Sequence, residues 1–282
     1  MKIAVTGGSG FIGSHVVDNC KAAGHDVVVI DHRVKPHCDD VAFEDVDLTD
    51  FASVLSATKG CGAIFHLAAV SNVNYAFEHP VYTVDLNILS TAKVLEAARV
   101  NGVKRVVFAS TVWVYSGATE EQVDEDTPFS ISGAGHIYTS SKIAAEYLFH
   151  DYAKLYKQEF TILRYGIPYG PRMRDELLIP IFIRKALKGE PLTIAVDGAQ
   201  YRNFVYIDDL ARANLLALDP KAANRTYNLE GPRKITIKEV AEAVRKVIGD
   251  KVQIVHTPAR PGDYGGKEVQ SERVREELGW TP

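Results

Sequence analysis

The sequence predicts an α/β protein: a doubly wound parallel sheet with a smaller C-terminal substrate-binding lobe. Three observations carry this. Apolar, β-branched runs at 2–6, 26–30, 62–66, 104–109 and 160–164 read as buried strands. Helical patterns at 11–23, 50–58, 80–101 and 139–157 separate them. The first run leads into glycines spaced by three, Gly7, Gly10 and Gly13. Strands that are apolar throughout and alternate with helices are covered on both faces, as in parallel sheets.

The first strand, with Ile3, Ala4 and Val5, opens into Thr6-Gly7-Gly8-Ser9-Gly10-Phe11-Ile12-Gly13 and then a helix. Gly7 permits the tight turn, Gly10 lets the backbone approach a pyrophosphate, and Gly13 lets helix and strand pack closely. The helix start presents unpaired N–H groups and the positive end of the helix dipole to the phosphates. The second strand, Val27-Val28-Val29-Ile30, ends on Asp31. A carboxylate there accepts hydrogen bonds from both hydroxyls of an adenosine ribose and repels a 2′-phosphate. This is the pattern of a Rossmann-type dinucleotide unit, and Asp31 favours NAD over NADP. His32 and Arg33 lie close by and soften that preference.

The third strand is 62–66. The helix at 80–101 carries Val84, Ile88, Ala92, Leu95 and Ala98 at helical spacing, with Gly102 as its C-cap. The strand at 104–109 runs into Ser110-Thr111, and the last clear strand is 160–164. After about residue 168 the character changes, with Pro168, Pro171, Pro180 and Pro191 and a charged stretch at 170–176. Helices are expected at 178–188, 208–218 and 236–248, and Arg260-Pro261-Gly262-Asp263 reads as a loop. The expected division is a nucleotide-binding domain over 1–167, joined by late strands from about 200–230, with 168–282 mainly the substrate lobe.

The chain has 282 residues, 46% hydrophobic and 24% charged, with a formal net charge of -4. That composition suits a globular enzyme, and the absence of a basic stripe argues against nucleic-acid binding. No apolar stretch is long enough for a membrane span, and the N-terminus enters a strand rather than a signal peptide. Cys20, Cys38 and Cys61 form no CxxC pair and suggest no metal site, which suits a reducing cytoplasm.

Tyr138-Thr139-Ser140-Ser141-Lys142 opens a helical pattern. A spacing of four puts Tyr138 and Lys142 on one helix face. A free tyrosine titrates near about 10, too high for an efficient base, and a nearby ammonium lowers that value. Lys142 also suits a hydrogen bond to a nicotinamide ribose. Ser110 and Thr111 follow a strand, and residues past the carboxyl end of a parallel strand face the ligand crevice. Thr111 is the expected substrate contact, supported by Ser110.

Together these stretches resemble the extended short-chain dehydrogenase/reductase family, in its nucleotide-sugar epimerase/dehydratase branch. Further matching stretches are Asp47-Leu48, His66-Leu67-Ala68-Ala69, Asn87, Leu163-Arg164-Tyr165, Tyr169-Gly170-Pro171-Arg172, 202–209 and 260–263. The resemblance implies NAD held by the glycine turn with Phe11 and Ile12. Asp47 and Leu48 would lie at the adenine end, and Leu67, Ala68 and Ala69 would line the channel. Asn87 would also contact the cofactor, and Tyr165 and Pro168 would lie near the nicotinamide. Arg202 and Arg260 would reach a sugar-nucleotide diphosphate, which suits guanidinium forks, and Asp263 the nucleoside ribose. His66 is expected to be a buried, satisfied histidine.

The resemblance also implies a homodimer through the helices near 80–101 and 139–157. Two departures stand out. Ile167 occupies a position where family members often carry a phosphate-contacting Asn. Val112 and Trp113 stand where dehydratases and decarboxylases of the branch carry acids. The expected activity is a UDP-hexose 4-epimerase-like reaction. A 4-ketoreductase, an atypical dehydratase and a non-catalytic cofactor sensor are its alternatives.

Overall fold

A computed structural model describes residues 1–249, 252–258 and 267–282. The nucleotide-binding half runs β1 (Lys2–Thr6), α1 (Phe11–Ala22), β2 (Asp26–Asp31), β3 (Ala42–Asp45), α2 (Phe51–Ala57), β4 (Ala63–His66), α3 (Val73–Glu78) and α4 (Pro80–Val84). It continues through a π-helical turn (Asp85–Leu89) into α5 (Ser90–Asn101), β5 (Arg105–Thr111), β6 (Gln122–Val123), α6 (Ile137–Tyr156) and β7 (Glu159–Tyr165). The remainder comprises β8 (Ile167–Tyr169), α7 (Leu178–Leu187), β9 (Leu192–Ala195), β10 (Tyr201–Arg202), β11 (Phe204–Tyr206), α8 (Ile207–Leu216) and β12 (Arg225–Leu229). Last come β13 (Ile235–Thr236), α9 (Ile237–Ile248), β14 (Ile254–Thr257), β15 (Glu268–Val269) and α10 (Glu272–Leu278).

The main sheet has seven strands in the order β12-β7-β5-β4-β1-β2-β3. All are parallel, with Val5 opposite Val29 on one side and Phe65 on the other. The strand order reverses beside β1, so a crevice opens at the carboxyl ends of β1 and β4. One face of the sheet packs on α1 and α8 through Val16, Val17, Leu210 and Ala213, and buries Trp280. The other packs on α2, α5 and α6 through Val54, Leu95 and Phe149. A separate cluster of Phe182, Leu192, Val240 and Val244 forms the core of the smaller lobe. No helix among the described residues is long and apolar enough to cross a membrane.

Most elements lie where the periodicity places them, and the differences have identifiable causes. The edge strand β3 reads Ala-Phe-Glu-Asp and is largely exposed, so it lacks the apolar run that marks a central strand. The expected helix at 80–101 is interrupted by the π turn, which a spacing of three and four does not register. Segments 207–229 and 272–280 return to the main core, α8 and Trp280 included. Trp280 is fixed there by its indole N–H donating to the Asp209 carbonyl at 2.8 Å.

A polar stitch holds the crevice at the strand reversal. Thr91 Oγ1 donates to the Asn87 carbonyl at 2.7 Å and so accepts from His66 Nε2 at 3.0 Å. His66 Nδ1 is therefore the acceptor for Thr6 Oγ1 at 2.8 Å. His66 ties β1, β4 and α5 together as a buried, satisfied residue.

Burial pushes the His66 imidazole down to about 3. Below its ordinary value near about 6.5 the unfolded chain takes up a proton that the folded chain refuses. Stability is thus lost as pH falls from about 6.5 toward 3, by up to about 1.4 kcal/mol per pH unit. His66→Gln should be less stable than the parent at pH about 8 yet lose less between pH about 6.5 and 4 in urea denaturation. Parallel pH profiles would contradict a neutral His66.

Candidate active site

A cavity of about 710 Å³ occupies the crevice and runs from the glycine turn to the start of α6. Its floor is the turn between β1 and α1. Gly7 has φ +70°, and a Cβ on it would lie 2.7 Å from the Ala68 nitrogen. A Cβ on Gly13 would lie 2.0 Å from the Gly7 carbonyl oxygen, so only glycine allows this approach. Gly10 caps α1 without a side-chain bond; its N–H donates to the Gly7 carbonyl at 3.1 Å, and the first bond of the helix is Ser14 N–H to the Gly10 carbonyl at 2.9 Å. The N–H groups of Phe11, Ile12 and Gly13 therefore have no acceptor within the helix. The cradle fits a pyrophosphate.

Asp31 lies at the end of β2 and on the cavity wall. Its carboxylate accepts from Ser9 N–H at 3.0 Å and His32 N–H at 2.9 Å. Each oxygen keeps a further lone pair for a ribose hydroxyl. His32 also lines the cavity. Arg33 is not part of the lining: its backbone is left-handed, φ 62°, with its N–H on Asp45, while its charge acts on Asp47 and Tyr82, which do line the cavity. Asp47 and Leu48 form the far wall, and Thr49 holds the Asp47 carboxyl below its usual range through two hydrogen bonds. Leu67, Ala68, Ala69, Tyr165 and Pro168 all line the cavity.

Asn87 is placed behind the wall. Its amide clasps Val70, accepting from the N–H at 2.8 Å and donating to the carbonyl at 3.0 Å, and also donates to Ser141 Oγ at 2.9 Å. The expected cofactor contact is thus spent on the protein, where it joins the π turn to the first turns of α6. Tyr165 likewise turns its hydroxyl inward, to Asn214 at 2.6 Å, and offers the cavity only its other surfaces.

Thr111, Tyr138 and Lys142 meet on one wall. Thr111 ends β5, while Tyr138 and Lys142 lie in the first turns of α6, which His136 caps through its imidazole. The four-residue spacing predicts a phenol lowered by the lysine. Instead, burial pushes the Tyr138 hydroxyl up to about 12, opposed by a hydrogen bond with Thr111 and by the charge of Arg174. Burial pushes Lys142 down to about 7, opposed by Glu146. Its Nζ donates to the Ala109 carbonyl at 2.7 Å and lies 4.7 Å from the centre of the Phe108 ring. The ammonium is held against the backbone rather than the phenol, so Thr111 and Arg174 are what draw the phenol toward ionisation.

Ser110 lines the cavity, but its hydroxyl donates to the buried Glu146, which pairs with Arg164 at 2.7 Å. Its part is to hold the wall. Arg202 lies in a small side cavity beyond Trp113 and Ile167, which both cavities share. Arg260 and Asp263 lie outside the described residues. Sequence reasoning missed Arg174 and Glu176 on the cavity rim, in the charged stretch after Pro171, and Glu230 in the side cavity. The structure also brings Asp18, His37 and Cys38 within 4.8 Å of one another. His37 pairs with Asp18 at 3.0 Å, and Lys21 stands 3.8 Å from Cys38 Sγ, a positive charge where a metal would bind.

Comparison with known proteins agrees with this geometry. The chain is similar to a putative UDP-glucose 4-epimerase of Methanocaldococcus jannaschii, 33% identical over 99% of this chain and 93% of that protein. The crystal structure of UDP-glucose 4-epimerase with UDP-glucose from Thermotoga maritima superposes with a TM-score of 0.93 at 31% identity, covering 100% of this chain and 94% of that one. A dTDP-glucose 4,6-dehydratase from Streptomyces venezuelae with NAD bound gives 0.90 at 27% identity, covering 100% and 92%. The cofactor is NAD, which the glycine cradle and Asp31 fit. The profile of the NAD dependent epimerase/dehydratase family matches residues 3–229, and the chain belongs to that family.

Proposed function

We propose that the protein is a nucleotide-sugar 4-epimerase acting on a UDP-hexose through a transient 4-keto sugar. The observation that carries the proposal is the meeting of Thr111, Tyr138 and Lys142 on one wall of the cavity that the glycine turn floors. NAD, when bound, supplies hydride transfer to and from the sugar carbon. Tyr138 takes the proton of the C4 hydroxyl, and Thr111 bonds both that oxygen and the phenol. Lys142 secures the nicotinamide ribose, and Arg202, with Arg260 beyond the described residues, neutralises the diphosphate. After oxidation the keto sugar turns in the cavity, and Tyr138 returns the proton once the other face is reduced. Val112 and Trp113 weigh against dehydration, because neither can act as an acid or base on a ring hydroxyl. The test is a panel of UDP-, dTDP-, GDP- and CDP-sugars with product NMR, together with mass analysis of cofactor released on denaturation. Epimerised UDP-hexose without net reduction supports the reading; consumption of NADH or formation of a 6-deoxy product overturns it.

A homodimer is part of the proposal. Helices α3 to α6 expose Phe77 at 81%, Val81 at 74%, Leu155 at 65% and Tyr147 at 58%. So many bare apolar side chains on neighbouring helices support this reading. Sedimentation at micromolar concentration should give a dimer, and Phe77→Asp with Val81→Asp should give monomers. A monomeric parent protein would contradict this.

Tyr138→Phe keeps the ring and should retain NAD while turnover falls about 10²–10⁴-fold. Thr111→Val should cost less and shift the ascending, acid-side limb of the kcat profile to higher pH, because the hydrogen bond it removes lowers the Tyr138 value. Near parental turnover of Tyr138→Phe would move the base elsewhere. Asp31→Ala should weaken NAD by about 1.5–3 kcal/mol, the worth of a hydrogen bond to a charged group, and narrow the preference over NADP. Calorimetric titration checks this, and tighter NADP than NAD binding by the parent protein would contradict it.

A further inference from the structure

Beside the main cavity lies a second one of about 20 Å³, lined by nine residues that include Glu230, Asn203, Trp113 and Ile167. Its size admits one water-sized group and no more. Glu230 is only 7% exposed, and its Oε2 is buried without a hydrogen-bond partner among the described residues. Asn203 Oδ1 is orphaned in the same way. Two orphaned polar atoms in one small cavity are costly unless something fills it, since a buried polar group left unpaired loses its hydration for nothing.

The small cavity adjoins the main one. Trp113 and Ile167 form part of the wall of both cavities. Trp113 N–H donates to Thr111 Oγ1 at 3.2 Å, so the shared wall starts at the catalytic threonine. Glu230 Oε2 lies so close over Gly166 that a Cβ there would meet it at 2.9 Å, and Gly166 itself lines the main cavity. The bare glycine is what lets the carboxyl approach. Of the cations that line this cavity, Lys267 donates to the Glu120 carbonyl at 2.9 Å and Arg202 donates to the Tyr201 carbonyl at 2.7 Å.

We propose that this small cavity is a specificity subsite that takes one hydroxyl of the substrate's hexose, held between Glu230 and Asn203. The assignment deepens the sugar-nucleotide reading above and rests on it. Burial pushes the Glu230 carboxyl up to about 8, so near neutrality it keeps its proton and donates. The Asn203 carbonyl oxygen accepts. A hydroxyl is the group that accepts from the first and donates to the second within the volume of one water. A bulkier acetamido group does not fit.

The test is calorimetric binding of UDP, UDP-glucose and UDP-galactose to the NAD-loaded full chain, in the parent protein, Glu230→Gln, Glu230→Leu and Asn203→Ala. UDP should bind all four alike, because it lacks the hexose. Glu230→Leu and Asn203→Ala should each weaken at least one hexose nucleotide about tenfold or more, the worth of one lost buried hydrogen bond, and Glu230→Gln should weaken it less. Should Glu230→Leu fail to fold, Asn203→Ala decides. Equal affinity of the parent protein and these variants for both hexose nucleotides overturns the subsite alone and leaves an ordered water as its occupant. Equal weakening of UDP and its hexoses overturns the assignment to the sugar. Failure of the parent protein to bind any of the three overturns the subsite together with the sugar-nucleotide reading.

Discussion

The buried ion pair between Arg164 and Glu146 is what the cavity wall bearing Thr111, Tyr138 and Lys142 depends on. The guanidinium comes from β7 and the carboxylate from α6, and their side chains are 5% and 1% exposed. Glu146 also accepts from Ser110 at the end of β5, and Arg164 donates to the Tyr115 hydroxyl at 2.5 Å. Tyr115 passes the connection to Asn228 at the end of β12. The adjacent strands β5, β7 and β12 and the helix bearing Tyr138 and Lys142 are thereby held in one register. Removing one partner of such a pair leaves an uncompensated buried charge, worth about 3–5 kcal/mol of destabilisation. Hydrophobic packing alone would let α6 slide along the sheet, whereas directional bonds fix where Tyr138 meets Thr111.

The same burial that fixes the geometry sets the chemistry. Tyr138 is pushed up and Lys142 down, because both charged forms lose water on entering the wall. Two values that lie close together in the free side chains are thereby driven apart, and each shift favours the neutral form of its group. The groups that favour the phenolate, Thr111 and Arg174, reach it from β5 and from the loop after Pro171. The Tyr138 phenol is therefore acted on from both sides of the crevice.

How much of this the sequence discloses follows from the range of each signal. The glycine turn, Asp31 and the Tyr138–Lys142 pair are local patterns whose spacing has a direct geometric meaning, so they are legible. Their placement around one cavity follows from the strand reversal, which the alternation of strands and helices implies. The edge strand at 42–45 lacks the apolar run that announces its neighbours. The role of Asn87 depends on a π turn that changes which way the amide faces. The orientation of Lys142 toward Ala109 depends on the depth of the wall, which no pattern of residue types encodes. Glu230 follows Tyr227-Asn228-Leu229 and reads as a polar residue leaving a strand; only the fold shows that it is sealed in beside Gly166.

The most direct measurement follows a deuterium label through one turnover. On the proposed mechanism, UDP-galactose labelled at C4 of the hexose should yield UDP-glucose with the label still at C4, because the keto sugar would stay in the cavity until its other face is reduced. Loss of the label to solvent, or its appearance at C6 of a deoxy sugar, would contradict an epimerase built on Tyr138, Thr111 and Lys142.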